Sequence, residues 1–292
     1  MLRLATRGSA QATAQAEAVA AALRTAGSDV ELVLVETTGD LRADVPLHTI
    51  GGQGVFVKEV QRAVIEGRAD IAVHSAKDLP STPHPALTIG AFCERRASDD
   101  ALVGRSLVDL APGAPVATGS VRRRAQLATV RPDLAFSELR GNIPTRLDKV
   151  PPDGAIVMAV AALEILGLTE RIAERLDVTT FVPAVGQGCV AVECRHDDRA
   201  TLDRLATIDH SASRRGVEVE RAFLAELGSG CSLPVGAHVH DDRLHAFLAG
   251  DTPPGEPVHH ARDVIELDGD HDADLERARR VAAHLREVVT RP

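Results

Sequence analysis

One short turn gathers several residue types that can do chemistry. The segment HSAKDLP, from His74 to Pro80, ends a buried apolar strand that begins at Asp70, and it brings Ser75, Lys77 and Asp78 close together. A carboxylate in such a turn can hydrogen-bond a ligand N–H and stabilise positive charge that develops on the ligand. An isolated aspartate there more often caps the turn. Lysine is rare in this chain, however, and its presence beside the carboxylate favours the functional interpretation.

Polar turns that carry arginine follow other predicted strands. The chain has 33 cationic residues, only three of which are lysines. The polar side chains at strand ends are Arg7, Ser9, Thr118, Ser120, Arg122, Arg123 and Arg140, with Arg146 a little further on. Ligands of open α/β sheets bind beyond the carboxyl ends of the strands, and guanidinium groups bind oxyanions through paired hydrogen bonds. Each arginine alone is explained as a solvated or structural cation, but the set predicts a cationic cleft for a ligand with several carboxylates or phosphates.

Cys231 has different surroundings from the other cysteines. Cys93, Cys189 and Cys194 lie in or beside apolar strands, which is typical of small buried side chains. Cys231 lies in the loop GSGCS after a predicted helix, where a thiol can be exposed. An incidental loop cysteine is the alternative; the lack of an adjacent base favours covalent attachment of a group over acyl transfer. No CxxC pair is present, so the sequence indicates neither a zinc site nor a disulfide framework.

Composition excludes several classes of function. The 292 residues allow two or three domains, and 33 basic against 42 acidic residues give a net charge of −9, which argues against binding nucleic acid or anionic lipid. Six Phe, with no Trp or Tyr, argue against a single-strand binder that stacks bases on aromatic side chains. The sequence shows no membrane span and no apolar signal-peptide core. We therefore expect a cytoplasmic protein with reduced cysteines.

The apolar patterns predict the elements that position these residues. Strand, polar turn and helix follow one another from Leu2 to Thr25 and again from Val116 to Val130. This order predicts two α/β lobes of similar design with mixed, largely parallel sheets. A smaller α+β domain is predicted for residues 211–292. We interpret residues 41–54 as a flexible lid and Gly186-Gln187-Gly188 as a crossover between the lobes.

Eight motifs together resemble the porphobilinogen deaminase (hydroxymethylbilane synthase) family, and they occur in the family's order. They are LATRGS (4–9), TTGD (37–40), GGQGVFVKEV (51–60), RADIAVHSAKDLP (68–80), ATGSVRRRAQL (117–127), LRGNIPTRL (139–147), PAVGQG (183–188) and GSGCSLPVGA (228–237). The resemblance implies two lobes like those of periplasmic binding proteins and a third domain. Its implied boundaries are 1–95 with about 188–208 for the first lobe, 100–183 for the second, and 211–292 for the C-terminal domain.

The resemblance also implies a transferase of tetrapyrrole biosynthesis. Four porphobilinogen molecules are condensed head to tail onto a dipyrromethane cofactor that Cys231 carries through a thioether, and ammonia and then hydroxymethylbilane are released. Asp78 takes the catalytic role, because its carboxylate would hydrogen-bond the pyrrole N–H of the azafulvene cation. Binding of cofactor and substrate carboxylates falls to Arg7, Ser9, Lys58, Ser75, Lys77, Thr118, Ser120, Arg122, Arg123, Arg140, Arg146 and Gln187. The expected partner is the small-molecule substrate, with no metal, nucleic acid or membrane, and the expected state is a monomer.

Two positions depart from the family pattern, and one rival function shares most of these features. Gln53 stands where many relatives have lysine, and Ser229 replaces the usual glycine shortly before Cys231. The rival is a two-lobed anion-binding protein without enzymatic activity, which would share the fold and the cleft but would not need the cysteine loop. A metal hydrolase is disfavoured, since His238 and His240 share a strand face without further ligands.

Overall fold

The computed structural model describes residues 1–37, 57–228, 233–250 and 256–290. The strands of these residues are β1 (Leu2–Arg7), β2 (Val30–Val35), β3 (Ile71–Ser75), β4 (Leu87–Phe92), β5 (Asp100–Gly104), β6 (Pro115–Ala117), β7 (Ala135–Ser137), β8 (Ala155–Ala159), β9 (Ile172–Leu176), β10 (Val190–Arg195), β11 (Val235–His240), β12 (Arg243–Ala249) and β13 (His260–Glu266). The α-helices are α1 (Ala10–Thr25), α2 (Lys58–Ile65), α3 (Val121–Val130), α4 (Ile143–Leu147), α5 (Val160–Glu164), α6 (Arg199–Leu205), α7 (Ser211–Glu226) and α8 (His271–Thr290). None of these helices has the length and apolar character that crossing a membrane requires.

The chain divides into two compact units, Met1–Arg96 with Gly188–Arg215, and Ala97–Gln187 with Gly216–Pro292. The first unit contains a five-stranded sheet in the order β2–β1–β3–β10–β4. β1 is parallel to β2 and β3, whereas β10 is antiparallel to β3 and β4. Four strands therefore run one way and the strand next to one edge runs the other way.

Local sequence explains the first strand, turn and helix. The apolar run from Leu2 to Ala5 predicts the first strand, and β1 extends two residues beyond it, so that Arg7 is its last residue. Ser9 caps α1, because its Oγ accepts a hydrogen bond from the backbone N–H of Ala12 at 3.3 Å. The helix buries Ala16, Val19, Ala20 and Leu23 in a core shared with the sheet. This arrangement holds the turn between β1 and α1 at the carboxyl end of the strand.

A second five-stranded sheet repeats the design of the first. Its order is β7–β6–β8–β5–β9; β6 is parallel to β7 and β8, and β5 is antiparallel to β8 and β9. The single reversed strand again lies next to one edge. Helix α3 follows β6 as α1 follows β1, and Ser120 caps it as Ser9 caps α1. The predicted α/β fold class, with two lobes of mixed, largely parallel sheets, is confirmed.

The C-terminal part is a smaller α+β domain, as predicted. β11, β12 and β13 form an antiparallel sheet, and α7 and α8 contribute to its core. Phe223, Leu244 and Leu285 are almost completely buried in that core. The compact unit that holds the second sheet also holds this part of the chain, and the predicted boundaries between three domains stay a prediction.

Candidate active site

A pocket in the first unit collects several of the predicted site residues. It lies where β1 and β3 end and α1 begins. Its lining residues are Arg7, Ser9, Gln11, Ala12, Gln15, Val57, Val73, His74, Ser75 and Asp78. The fold thus brings together the two polar turns that the sequence singled out, although about 70 residues separate them along the chain. Parallel pairing of β1 with β3 is the reason, since it puts the carboxyl ends of both strands at one sheet edge.

Asp78 is held in the pocket wall by a short, anchored turn. Residues Ala76–Asp78 form one turn of 3-10 helix directly after β3. Ala76 is buried, and its backbone N–H donates to the carbonyl of Cys189 at 2.9 Å. The turn is therefore fixed at its base, while the carboxylate of Asp78 is exposed and has no hydrogen-bond partner among the described residues. Such a carboxylate is available to a ligand.

Gln15 is a pocket residue that the sequence analysis missed. Its Nε2 lies 3.0 Å and its Oε1 3.1 Å from the Oγ of Ser75, so the amide fixes the hydroxyl from one side. Gln11 stands one helical turn earlier on the same face of α1 and also lines the pocket. The spacing of these two glutamines, directly after the Arg-Gly-Ser turn, was the signal that could have identified them.

The remaining first-unit residues have different settings. Arg7 is half-buried at the end of β1, and Lys77 is half-buried in the turn before Asp78. Ser9 already uses its oxygen as the cap of α1 but keeps its hydroxyl proton for a ligand. Lys58 is the first residue of α2 and is exposed, and it does not line the pocket.

The second unit holds the other predicted binding residues, which follow β6 and β7, except for Gln187, which follows β9. Thr118 is buried, and its Oγ1 accepts from the N–H of Ser120 at 3.2 Å. The Oγ of Ser120 in turn lies 3.4 Å from the backbone nitrogen of Arg123, the third residue of α3. Arg146, in α4, donates from Nε to the carbonyl of Gly141 at 2.7 Å. These contacts fix the turn hydroxyls and one guanidinium group.

Arg122 and Arg123 are buried, which the sequence analysis did not foresee. Arg122 is only 4% exposed and Arg123 only 8%. Both guanidinium groups contact the carboxylate of Asp100, which is 0% exposed. The amide of Gln187 also donates to Asp100, at 3.0 Å. Burial alone would raise the pKa of Asp100, yet the two guanidinium groups hold it well below its usual range. The structure therefore gives these side chains a buried anionic partner, and their contact with a ligand stays a prediction.

Arg140 is a cation with an unsatisfied buried atom. Its Nε is covered by protein and finds no acceptor among the described residues. Its backbone carbonyl, by contrast, accepts from the Nζ of Lys149 at 3.0 Å. A covered N–H without an acceptor is costly, so an acceptor from a ligand or a water would be favourable here. The binding of a ligand by Arg140 stays a prediction. A dipyrromethane that bears carboxylates fits this donor set of guanidinium and hydroxyl groups.

The predicted attachment residue lies outside the described residues. Cys231 and Ser229 lie within residues 229–232, and Gln53 and the predicted lid lie within residues 38–56, neither of which the structure describes. Cys189 and Cys194 are buried as predicted, whereas Cys93 is only half-buried. Burial raises the pKa of Cys93 and of Cys194 to about 11. Within the described ranges no group of His, Cys, Asp or Glu side chains could hold a metal ion.

Solved structures align with this chain only at low identity and low structural similarity. A nutrient binding protein from Burkholderia cenocepacia bound to methionine aligns with 73% of this chain and 93% of its own, at 14% identity and a TM-score of 0.45. A methionine-binding protein, MetQ, aligns with 73% of this chain and 91% of its own, at 14% identity and a TM-score of 0.44. Similarity at this level says nothing about ligand or activity.

Family models and curated relatives cover nearly the whole chain. Residues 2–203 match the model "Porphobilinogen deaminase, dipyromethane cofactor binding domain", and residues 215–248 match "Porphobilinogen deaminase, C-terminal domain". The porphobilinogen deaminase of Acidothermus cellulolyticus is 50% identical, with 81% of this chain and 74% of the relative covered. That of Xanthomonas campestris pv. campestris is 44% identical, with 98% and 96% covered. The chain therefore belongs to the porphobilinogen deaminase family, and it contains that family's dipyrromethane-binding domain.

Proposed function

We propose that this chain is a transferase that joins four porphobilinogen molecules head to tail and releases hydroxymethylbilane. The observation that carries the proposal is the exposed carboxylate of Asp78 in one pocket with Arg7 and Ser75, in a chain of this family. A cation and a hydroxyl suit the acetate and propionate groups of the substrate, while a free carboxylate suits its pyrrole N–H. The covalent anchor of the dipyrromethane is Cys231.

Each condensation breaks one C–N bond and forms one C–C bond. The amino group of the substrate leaves as ammonia, the methylene carbon that carried it joins a pyrrole α-carbon, and that α-carbon loses a proton. When bound, the dipyrromethane supplies the α-carbon to which the first substrate molecule is joined. The carboxylate of Asp78 accepts a hydrogen bond from the pyrrole N–H of the substrate and stabilises the positive charge that develops as ammonia departs. The same carboxylate holds or passes on the proton that the step releases.

Side chains of both lobes bind the carboxylates of the growing chain. In the first unit these are Arg7, Ser9, Lys58, Ser75 and Lys77. In the second they are Thr118, Ser120, Arg122, Arg123, Arg140, Arg146 and Gln187. The buried, unsatisfied Nε of Arg140 supports this assignment most directly, because a ligand carboxylate would complete its hydrogen bonding.

The proposal also covers the domain boundaries, the oligomeric state and the cellular compartment of the enzyme. We propose a discontinuous first lobe, 1–95 with about 188–208, a second lobe at 100–183 and a third domain at 211–292. The division of the compact units at Arg96 and at Gln187 supports the discontinuous lobe. A monomer in a reducing compartment such as the cytoplasm is proposed as well; the free thiols of Cys93, Cys189 and Cys194 support the latter.

Ammonia release separates this proposal from the anion-binding rival. Purified protein is incubated with porphobilinogen or with a pyrrole dicarboxylate that lacks the aminomethyl group, and ammonia and tetrapyrrole are both measured. We expect four ammonia molecules for each tetrapyrrole from porphobilinogen, and neither product from the control pyrrole. Binding of both compounds without ammonia release would contradict the proposal and favour the rival.

A further inference from the structure

Among the described residues, Asp100 is one of the fully buried carboxylates that the proposed mechanism does not use. It is the first residue of β5, where it faces Ala159 of β8 and Leu176 of β9 across the sheet. Its side chain is closed to solvent and accepts hydrogen bonds from Arg122, Arg123 and Gln187, all three of which are proposed ligand-binding residues. One carboxylate is thus the common partner of three binding side chains.

We infer that Asp100 is a positioning residue of the proposed active site, which orients Arg122 and Arg123 for the carboxylates of the bound pyrroles. The inference rests on the proposed function. Asp100 itself does not touch the ligand; it acts through the two arginines.

The hydrogen bonds fix both guanidinium groups. Arg123 donates to Oδ1 of Asp100 from Nε at 2.9 Å and from Nη2 at 2.6 Å, while its Nη1 donates to the carbonyl of Val157 at 2.9 Å. Arg122 donates to Oδ2 from Nη2 at 2.7 Å and to the carbonyl of Val182 from Nη1 at 2.7 Å. Each arginine is therefore held by a carboxylate and a backbone oxygen, which leaves it little rotational freedom.

Charge explains why a single carboxylate serves two arginines. The cluster of Asp100, Arg122 and Arg123 carries one net positive charge, and it lies at the first turn of α3, where the helix dipole disfavours cations. Asp100 offsets the repulsion between the two neighbouring guanidinium groups. The remaining positive charge is what an anionic ligand would neutralise. A second carboxylate in this place would cancel the remaining positive charge. Without any carboxylate, two buried cations would lie together.

Two substitutions separate the position of the carboxylate from its charge. Asp100→Glu keeps the charge but moves the carboxylate by about one methylene, roughly 1.5 Å, in a closed site. Asp100→Asn keeps the shape but removes the charge. The matched control is Asp99→Glu, since Asp99 is the adjacent residue and its carboxylate pairs with the more exposed Arg175 at 3.1 Å.

The experiment measures the protein as purified, with its covalent pyrroles. Occupancy is measured with an acidic dimethylaminobenzaldehyde reagent and by intact mass, and KM and kcat for porphobilinogen are measured well below each variant's unfolding midpoint. We expect both Asp100 variants to show lower occupancy and a KM raised roughly tenfold or more, with a smaller change in kcat, because ground-state carboxylate binding is weakened. Asp99→Glu should match the parent chain.

The outcomes distinguish the inference from the proposed function. Absence of pyrroles and of turnover in the parent chain would overturn the proposed function and this inference with it. A working parent chain, with normal KM and occupancy in Asp100→Glu and Asp100→Asn, would overturn the inference alone. Equal effects of Asp99→Glu would also overturn it. If neither Asp100 variant folds, Asp100 is needed for the fold itself, and the positioning role is overturned in favour of a structural one.

Discussion

Replacement of Asp78 by asparagine should abolish turnover without changing stability. Asp78 is exposed and makes no hydrogen bond within the described part of the chain, so the free energy of unfolding should change by no more than about 0.5 kcal/mol. An amide cannot carry the negative charge that the substrate cation requires, and it cannot accept the proton. Loss of a general acid–base group costs about 10²- to 10⁴-fold in rate, which is about 3–5.5 kcal/mol of transition-state stabilisation.

Asp70 provides the matched control, since it directly precedes β3, the strand that Asp78 follows. Its carboxylate accepts from the backbone N–H of Arg3 at 2.8 Å, and its Oδ1 lies 2.7 Å from Nη2 of the same arginine. Burial opposes ionisation, but the bonds from Arg3 lower the pKa of Asp70 below its usual value. Because the Arg3 side chain is 40% exposed, solvent screening reduces the value of this pair, and Asp70→Asn should cost about 1 kcal/mol of stability. Its turnover should be normal.

The assay compares urea unfolding with ammonia release for both variants and the parent chain. We expect Asp78→Asn to lose turnover and keep its unfolding midpoint. We expect Asp70→Asn to keep turnover and unfold at a lower urea concentration. Turnover above about a tenth of the parent value in Asp78→Asn would refute the assigned role, since general acid–base groups contribute far more. A large loss of stability in that variant would refute the description of Asp78 as a free surface carboxylate.

The remaining predictions concern three separate features. Burial, with smaller contributions from neighbouring charges, lowers the pKa of His245 in the folded protein below 6.5. The contribution of His245 to stability is therefore complete above the pKa of the unfolded chain and is lost as pH falls below that pKa. The difference in urea unfolding free energy between about pH 7.5 and about pH 5.5 should shrink in His245→Gln, and an unchanged difference would contradict this. Gly154→Ala would put a Cβ 2.1 Å from the backbone carbonyl oxygen of Pro115 and should lower the free energy of unfolding by about 2–3 kcal/mol. In the control Gly8→Ala the Cβ meets nothing within 4 Å, and the free energy of unfolding should change by less than about 0.5 kcal/mol. Equal unfolding midpoints of the two variants would refute the clash. Arg140→Gln should leave the melting temperature nearly unchanged and raise KM about 10- to 100-fold, because the charged hydrogen bond it loses is made to the ligand; an unchanged KM would show that the ligand does not satisfy Arg140.

Local patterns were sufficient to predict most of the elements. The apolar run from Leu2, the Arg-Gly-Ser turn and the alanine-rich stretch that follows specify strand, cap and helix within a few residues, and the structure differs mainly by extending β1 to Arg7. The repeated design of the two lobes was equally visible, because each strand, turn and helix is encoded locally. Family resemblance added the ordered motifs and the residue roles that composition cannot supply.

Contacts between distant residues were not predictable from those patterns. Arg122 lies 22 residues and Gln187 lies 87 residues after Asp100 in the chain. No local pattern therefore indicates that these side chains meet. Both arginines were expected to bind the carboxylates of cofactor and substrate, and the sequence shows their charge but not the buried carboxylate between them. The spacing of Gln11 and Gln15 placed Gln15 on one face of α1 near the Arg-Gly-Ser turn, but its contact with Ser75, 60 residues away, was not predictable.

The most direct test of the account is the mass and colour of the protein as purified. Chain produced in cells that make porphobilinogen should exceed its polypeptide mass by two linked pyrroles and give a coloured product with the aldehyde reagent. Cys231→Ser should lack both signals, and Cys93→Ala, which alters a half-buried thiol, should keep them. A parent chain that has the mass of the bare polypeptide and gives no colour would contradict the claim that Cys231 carries a covalent pyrrole primer.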